Sequence, residues 1–570
     1  MNDRMTGLDR AGALEALLGD PHDDANPYGY RAVLEADEGN EILAEGERML
    51  DGFVLNAEFV PRALGGRLTQ ADDMVRVLRT LFRRDITLGL GYGVTNFIAS
   101  AGVWAAGSAE QRRWTADLLL SGGKIAAGYN ELAHGNDFTR VELRAVPGDG
   151  TVLLNGGKQV VNNLARADAA MFLARTADEA GARSHSHVLV DMRDLSDEQR
   201  RYLPRFGTAG VRGCRIGGVE FTDCAVPDGG GVGVVGGVGQ AMETVLKAFQ
   251  VTRGVLPGMA VGGGDAQLRT VLGFALGRRL YGRTVADLPH ARSVLTAAYA
   301  DLLTADCLAM AAARALHVLP AQTSVYTAAA KYLVPKMLQE SSHRLATVLG
   351  ARSYLRDGPH AIFQKVFRDL PAATFGHANS TVCLATIIPQ LPQLARKSWG
   401  GGAEEAPAEL FRFASELPEL DFGALEMNAR GADGLSAVLR SAARAAAGGP
   451  LAALCEAFVA ELADLTVRCA DLRPKDRTVT AGPEAFALAD RFTVVLAAAS
   501  CLGHWLHDPA PESDGRPPAW LVVGLSRLAA RLGRTPAAGT GGAEERAWTE
   551  LLDRYEDRRA FDLSALRLAG

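Results

Sequence analysis

Two short phrases, Gly128-Tyr-Asn-Glu-Leu-Ala-His-Gly-Asn-Asp137 and Leu154-Asn-Gly-Gly-Lys-Gln-Val-Val-Asn-Asn163, bracket the stretch on which the fold of this chain turns. Between them Val141 to Val146 and Thr151 to Leu154 alternate apolar and polar residues and are split by Pro147-Gly-Asp-Gly150. That pattern predicts neighbouring strands of an antiparallel sheet joined by a turn. Small residues and short amides at both ends place backbone N–H groups and amide donors where a flat polar ligand can approach. On spacing alone, two glycine-rich surface turns are the plainer account.

Upstream, residues 1–125 carry helical periodicity. Arg31 to Val60 predicts one long helix with an acidic open face, and Thr69-Gln-Ala-Asp72 predicts a cap for a helix through Phe82. Asp85 to Trp104 is apolar and carries Gly89, Gly91, Gly93 and Gly102, which suits close helix packing or a ligand alongside rather than a surface helix. Ser108-Ala-Glu-Gln111 is a capping box. Downstream the period switches to two. Ile125 to Ala133, Ala169 to Arg175, His185 to Asp191 and Gly217 to Phe221 complete a set of strands ended by the glycine-rich connector Val226 to Gly239. Helical character then returns over Gln240 to Arg253, Gly263 to Tyr281, His290 to Val318, Thr323 to Gly350, Ala361 to Arg368 and Val382 to Ala395, as in a helix bundle. After a linker at Gly400 to Pro407, four more segments follow: Leu435 to Ala446, Leu451 to Leu472, Pro483 to Leu502 and Pro518 to Leu532. The expected domains are 1–125 helical, 126–235 β, 236–400 four-helix bundle and 401–570 additional helical.

The chain has 570 residues, 48% hydrophobic and 22% charged, with a formal charge of −6. It is long enough for several cores, and its charge gives no basic footprint for nucleic acid or anionic membrane. Cys214, Cys224, Cys307, Cys383, Cys455, Cys469 and Cys501 stand singly, without metal-ligand spacing, the pattern of a reducing compartment. The polar start and the short, interrupted apolar runs predict neither a signal peptide nor a transmembrane span, so a cytoplasmic location is expected.

Read in order, the motifs resemble those of the acyl-CoA dehydrogenase and acyl-CoA oxidase superfamily. Asn130 to Asp137 resembles the Thr-Glu-x-x-x-Gly-Ser-Asp motif, with an oxidase-like Glu-Leu-x-His-Gly portion. Asn155 to Asn163 resembles Asn-Gly-x-Lys-x-x-Ile-Thr-Asn. Phe221-Thr-Asp-Cys-Ala-Val-Pro227 resembles the phrase that ends the β domain, and Arg278-Arg-Leu-Tyr-Gly282 resembles an Arg-x-x-Phe-Gly turn. Lys331, Leu349-Gly350 and Arg368-Asp369 follow at matching intervals. The resemblance implies an α+β fold: an N-terminal helical domain, a middle antiparallel β domain, a four-helix bundle and an extra oxidase-like helical domain. It also implies FAD between the β domain and the bundle. Asn130 and Asn162, at positions where the family has threonines, would contact the flavin, and Asn136 would lie near the pyrophosphate. Arg278 would reach a diphosphate from a neighbouring subunit of a homodimer.

The same resemblance exposes a gap. The family takes its α-proton base either from a glutamate in a loop after the Arg-Asp pair or from a glutamate preceding an arginine on the first bundle helix. Here those positions are His377 and Thr252. Three accounts stay open: His377 acts as the base for α,β-dehydrogenation of an acyl thioester of CoA or a carrier protein, a carboxylate arrives from an unmarked place, or the fold serves another oxidation such as flavin-dependent monooxygenation. A non-catalytic family member is the remaining alternative. Electron-transfer flavoprotein or oxygen is the expected acceptor. His134, Tyr129, Arg253 and Phe375 are further candidates for loop, pocket or ligand contacts.

Overall fold

Thr6 starts the first ordered helix: its hydroxyl accepts from the Asp9 amide while the Asp9 carboxylate accepts from the Thr6 amide. The computed structural model describes residues 5–179, 181, 183–376, 378–446, 448–508, 516–536, 539–540 and 542–570. Helices α1 (Gly7–Leu18), α2 (Tyr30–Glu38), α3 (Ala44–Phe53), α4 (Ala71–Arg84), α5 (Thr95–Ala106) and α6 (Ala109–Leu120) come first. The single helix expected over 31–60 is broken, because Asn40 and Val54 take left-handed conformations at φ 54° and 57°. The apolar run after α4 enters α5 through a π-helical turn at Gly89–Val94. A Cβ on Gly89 would lie 2.7 Å from the Phe82 ring and one on Gly91 2.9 Å from Ile42, so these glycines are demanded by packing.

The β domain comprises β1 (Ile125–Gly128), β2 (Arg144–Pro147), β3 (Thr151–Asn162), β4 (Ala169–Arg175), β5 (His185–Asp191), β6 (Arg200–Leu203), β7 (Ile216–Pro227) and β8 (Gly233–Val235). The order is β6-β7-β3-β2-β4-β5-β8, with β1 parallel to β4. The second glycine-rich phrase is therefore strand, not turn. Gly156, at φ 103°, occupies a register slip against β7, and a Cβ on Gly157 would lie 2.7 Å from the Val219 carbonyl. Conversely, the strand expected over 125–133 stops at Gly128.

The bundle is built on α7 (Ala241–Gly277), α8 (Pro289–Val318), α9 (Thr323–Leu349), α10 (Ile362–Asp369) and α11 (Ser380–Ile387). Where two helices were expected, α7 runs unbroken through Pro257. Gly258 and Gly262 let it touch α4: a Cβ on Gly262 would sit 2.3 Å from the Arg79 carbonyl, and Arg79 Nε donates to the Gly258 carbonyl at 2.8 Å. α4 is also pinned by charge. Arg79 Nη1 donates to Asp306 on α8 at 2.9 Å, and Arg83 donates to Asp265 and Asp562 at 3.0 Å each. Burial alone would raise the Asp562 carboxyl, but Arg79 and Arg83 hold it down to about 2.

Beyond the bundle lie α12 (Gly434–Ala445), α13 (Gly449–Ala470), α14 (Pro483–His507), α15 (Ala519–Arg531) and α16 (Ala543–Glu556). Arg527 on α15 joins this unit to α8 by donating to Asp301 at 2.7 and 2.6 Å. Ile86–Ala106, α8 and α14 are long and apolar enough to cross a membrane by length and composition, which corrects the reading of short apolar runs; each is 78% or more buried inside this fold.

Candidate functional site

One buried ion pair closes the two quoted phrases onto each other. Glu131, just past β1, is 4% exposed and accepts from the amides of Glu142 and Leu143 at 2.8 and 3.1 Å. Lys158, in β3 and wholly buried, donates to Glu131 at 2.9 Å and to the Tyr129 carbonyl at 3.1 Å. Burial would raise the Glu131 carboxyl, yet Lys158 and the two amides hold it below the usual carboxylate range. Neither residue was singled out in the sequence, although both lie inside the phrases that were.

The clamp leaves two asparagines at the surface it shapes. Asn130 spends its amide N–H donors on the Gly135 carbonyl, at 2.8 Å, and on Asn136 Oδ1, at 3.2 Å. Asn136 is thereby a brace of the first loop. Asn162 Nδ2 donates to Thr95 Oγ1 at 2.8 Å, and the single Thr95 hydroxyl proton goes to the Leu90 carbonyl, also at 2.8 Å. Thr95 can then only accept, which fixes the Asn162 amide with its nitrogen toward Thr95. Its Oδ1 is buried without a partner among the described residues. Asn163, left-handed at φ 55°, ends the strand by exchanging bonds with the Arg215 backbone at 2.9 and 3.0 Å. An enclosed amide acceptor at the end of β3 fits a ring edge that carries N–H donors, as the pyrimidine portion of a flavin does. His134 turns to Glu142 at 3.1 Å.

Aromatic rings carry the site to the bundle. Phe249 on α7 meets Tyr129 and Phe138 edge-on, each at 5.6 Å between centroids, and Tyr129 lies 5.5 Å from the His187 ring. His187 is wholly buried, and burial pulls its imidazole down to about 4. One turn along α7, Thr252 donates to the Phe249 carbonyl at 3.3 Å, and Arg253 lies over the Phe249 ring at 5.5 Å. Lys331 on α9 bonds the Ala373 carbonyl, ahead of Phe375, which is exposed. His377 lies outside the described residues. Arg278 is exposed at the far end of α7, away from the asparagines. No metal-binding group of three acidic, histidine or cysteine side chains occurs among the described residues. A cavity of about 940 Å³ opens elsewhere, lined among others by Arg62, Asp73, Phe413 and His504, and includes none of the residues of either phrase.

Residues 239–391 match the family model for the acyl-CoA dehydrogenase C-terminal domain. This match, the relatives and the solved structures all indicate the acyl-CoA dehydrogenase superfamily. A glutaryl-CoA dehydrogenase from Desulfococcus multivorans is 24% identical over 260 residues, 46% of this chain and 64% of that protein. An L-prolyl-(peptidyl-carrier protein) dehydrogenase from Pseudomonas fluorescens is 26% identical over 232 residues, 40% of this chain and 60% of that protein. In both cases the match spans less than two thirds of the relative. Among solved structures, the FAD complex of PigA aligns with a TM-score of 0.60 at 16% identity, covering 69% of this chain and 99% of that one. The superfamily fold expected from the motifs is thus the fold present.

Proposed function

We propose that the protein is an FAD-dependent oxidoreductase that desaturates an acyl thioester, of CoA or of a carrier protein, between its α and β carbons. The observation that carries this reading is the Asn162 oxygen, buried and without a partner, at the end of a strand that the Glu131–Lys158 pair holds in place. Asn130 and Asn162 would hold the flavin ring, Asn136 would brace the first loop around it, and Arg278 of a neighbouring copy would take the diphosphate. When bound, FAD supplies the hydride acceptor for the β-hydrogen. Tyr129, Phe138 and Phe249 supply an apolar wall that keeps water from the reacting carbons. His377 takes the α-proton: imidazole is a competent base near neutral pH, and Thr252 offers only a hydroxyl at the other position. Electrons then pass to an electron-transfer flavoprotein or to oxygen, in the cytoplasm.

Purified protein should show a flavin absorption band, and anaerobic mixing with acyl thioesters should bleach it. His377→Ala should suppress α-proton exchange; unchanged exchange would remove His377 from that role. The lack of a glutamate at both positions, where His377 and Thr252 stand, favours monooxygenation on the same fold as the second reading. In that case thioesters alone leave the flavin oxidised, and turnover requires both an external reductase and oxygen.

A further inference from the structure

The cavity of about 940 Å³ lies apart from the two quoted phrases and is large enough for a ligand, since small-molecule sites run from about 300 to 1,000 Å³. Its walls come from α1, the loop 61–70, α4, α8, the segment 413–416, the end of α14 and the C-terminal tail. Of its lining, only Asp306 and Met310 fall within residues 239–391, so most of it is built from parts outside the matched domain.

These walls are fixed to one another. Arg76 on α4 donates to the Phe413 carbonyl, the Gln70 side-chain oxygen accepts from the Leu417 amide at 3.0 Å, and the Phe413 and His504 rings stack at 4.5 Å. Much of the charge is answered locally: Arg10 by Glu58, Arg76 by Asp73 and Arg79 by Asp306. What is left over is sorted by sign. On the loop 61–70, the Arg62 guanidinium makes no hydrogen bond or ion pair to any described residue. Arg67 Nη2 and Gln70 Nε2 likewise have no acceptor among the described residues, their other side-chain atoms being the ones engaged. The extra helical unit supplies the opposite sign. Glu416 has no donor among the described residues, and Asp508 uses one oxygen, Oδ2, on the Phe413 amide at 3.2 Å. His504 gives its Nδ1 proton to the Phe411 carbonyl at 3.1 Å, because a carbonyl only accepts, and its Nε2 is left as an acceptor. Leu8, which is 41% exposed, Met310 and Leu563 add apolar lining.

We infer that this cavity binds a small zwitterion, a molecule carrying both a carboxylate and an ammonium group, as free amino acids and short peptides do. The planar fork of Arg62, with Arg67 and Gln70 beside it on the same loop, matches the two oxygens of a carboxylate. Glu416 and Asp508 take the ammonium, and the apolar lining takes the side chains. A simple anion or a simple cation would meet only half of these groups. The site stands independently of the thioester reading, and no bond is made or broken in it.

The test titrates the purified full-length protein by calorimetry with leucine, leucylglycine and leucylleucine, and with leucylglycine acetylated at its amine or amidated at its carboxylate. The free forms bind, and blocking either end weakens leucylglycine by about tenfold, as the loss of one charge-assisted contact does. Arg62→Gln abolishes the penalty for the amide alone, and Glu416→Gln the penalty for the acetyl group alone; both residues are exposed, so neither change threatens folding. Tighter binding of leucine than of the dipeptides assigns the site to free amino acids, and the reverse order assigns it to peptides. An acetylated form that binds as tightly as the free one marks a plain anion site, an amide that does so marks a plain cation site, and either overturns the inference. It is overturned as well if none of the free forms binds at millimolar concentration, or if both variants bind like the wild type, which places the ligand elsewhere.

Discussion

Replacing Lys158 by methionine would leave the Glu131 carboxylate enclosed with two amide donors and no cation. Breaking a buried pair on one side costs about 3–5 kcal/mol, so K158M should lower the denaturant midpoint and shed flavin, whereas K158M with E131Q should recover part of the loss. A dye-free check is the ratio of flavin to protein absorbance after gel filtration. His187 gives a pH dependence of defined sign. Its folded value of about 4 lies below the ordinary value of 6.5, so the unfolded chain binds the proton first. Stability is therefore lost as pH falls from about 6.5 to about 4, by roughly 3 kcal/mol. His187→Phe should flatten unfolding free energy across that window; an unchanged slope would show that His187 does not titrate there. At this scale the sequence was legible in residue types and mute about pairings. Glu131 and Lys158 stand in plain view, 27 residues apart, but nothing in either phrase announces that they meet. Asn162 was readable as a ligand contact, whereas the direction of its amide depended on Thr95 and Leu90, far away in the chain.

Helices whose apolar faces turn toward one core were read closely: Thr323–Leu349 was expected to end at Gly350, and Pro289–Val318 to begin at His290. Two of the misread elements, α7 and β3, share a cause. Glycine and proline were taken as punctuation, yet in α7 and β3 they serve contact between elements. Gly262 lies where α7 crosses the backbone of α4, and Gly157 where β3 meets β7. A local rule sees the missing side chain, not the neighbour that requires it. Gly262→Ala separates the two effects. Alanine gains about 1 kcal/mol of helix propensity, but its Cβ would stand 2.3 Å from a backbone carbonyl that cannot turn away. Overpacking costs about 1–3 kcal/mol or more, so G262A should lower the melting temperature, whereas Gly52→Ala, whose Cβ would meet nothing, should not.

Across the whole molecule, Asp562 near the C-terminus ties its tail to α4 near the beginning. Its carboxyl is held at about 2, below the ordinary 3.9. The tie contributes fully above about pH 4 and is lost as pH falls toward 2, a matter of roughly 2–3 kcal/mol. Asp562→Asn should abolish that acid limb and should release the tail to proteolysis at neutral pH, because Arg83 loses a partner. The length of α7 has a further consequence. From Phe249, beside the first loop, to Arg278 at its exposed end is about 40 Å at the ordinary rise per residue. That is farther than one dinucleotide stretches, so an Arg278 that grips FAD grips the FAD of another copy. Two inactive variants should then rescue each other. Mixing equal amounts of Arg278→Ala and Asn162→Ala subunits, each empty or inactive alone, would assemble mixed pairs in which one of the two centres regains both of its residues, and about a quarter of the activity would return from parts that had none.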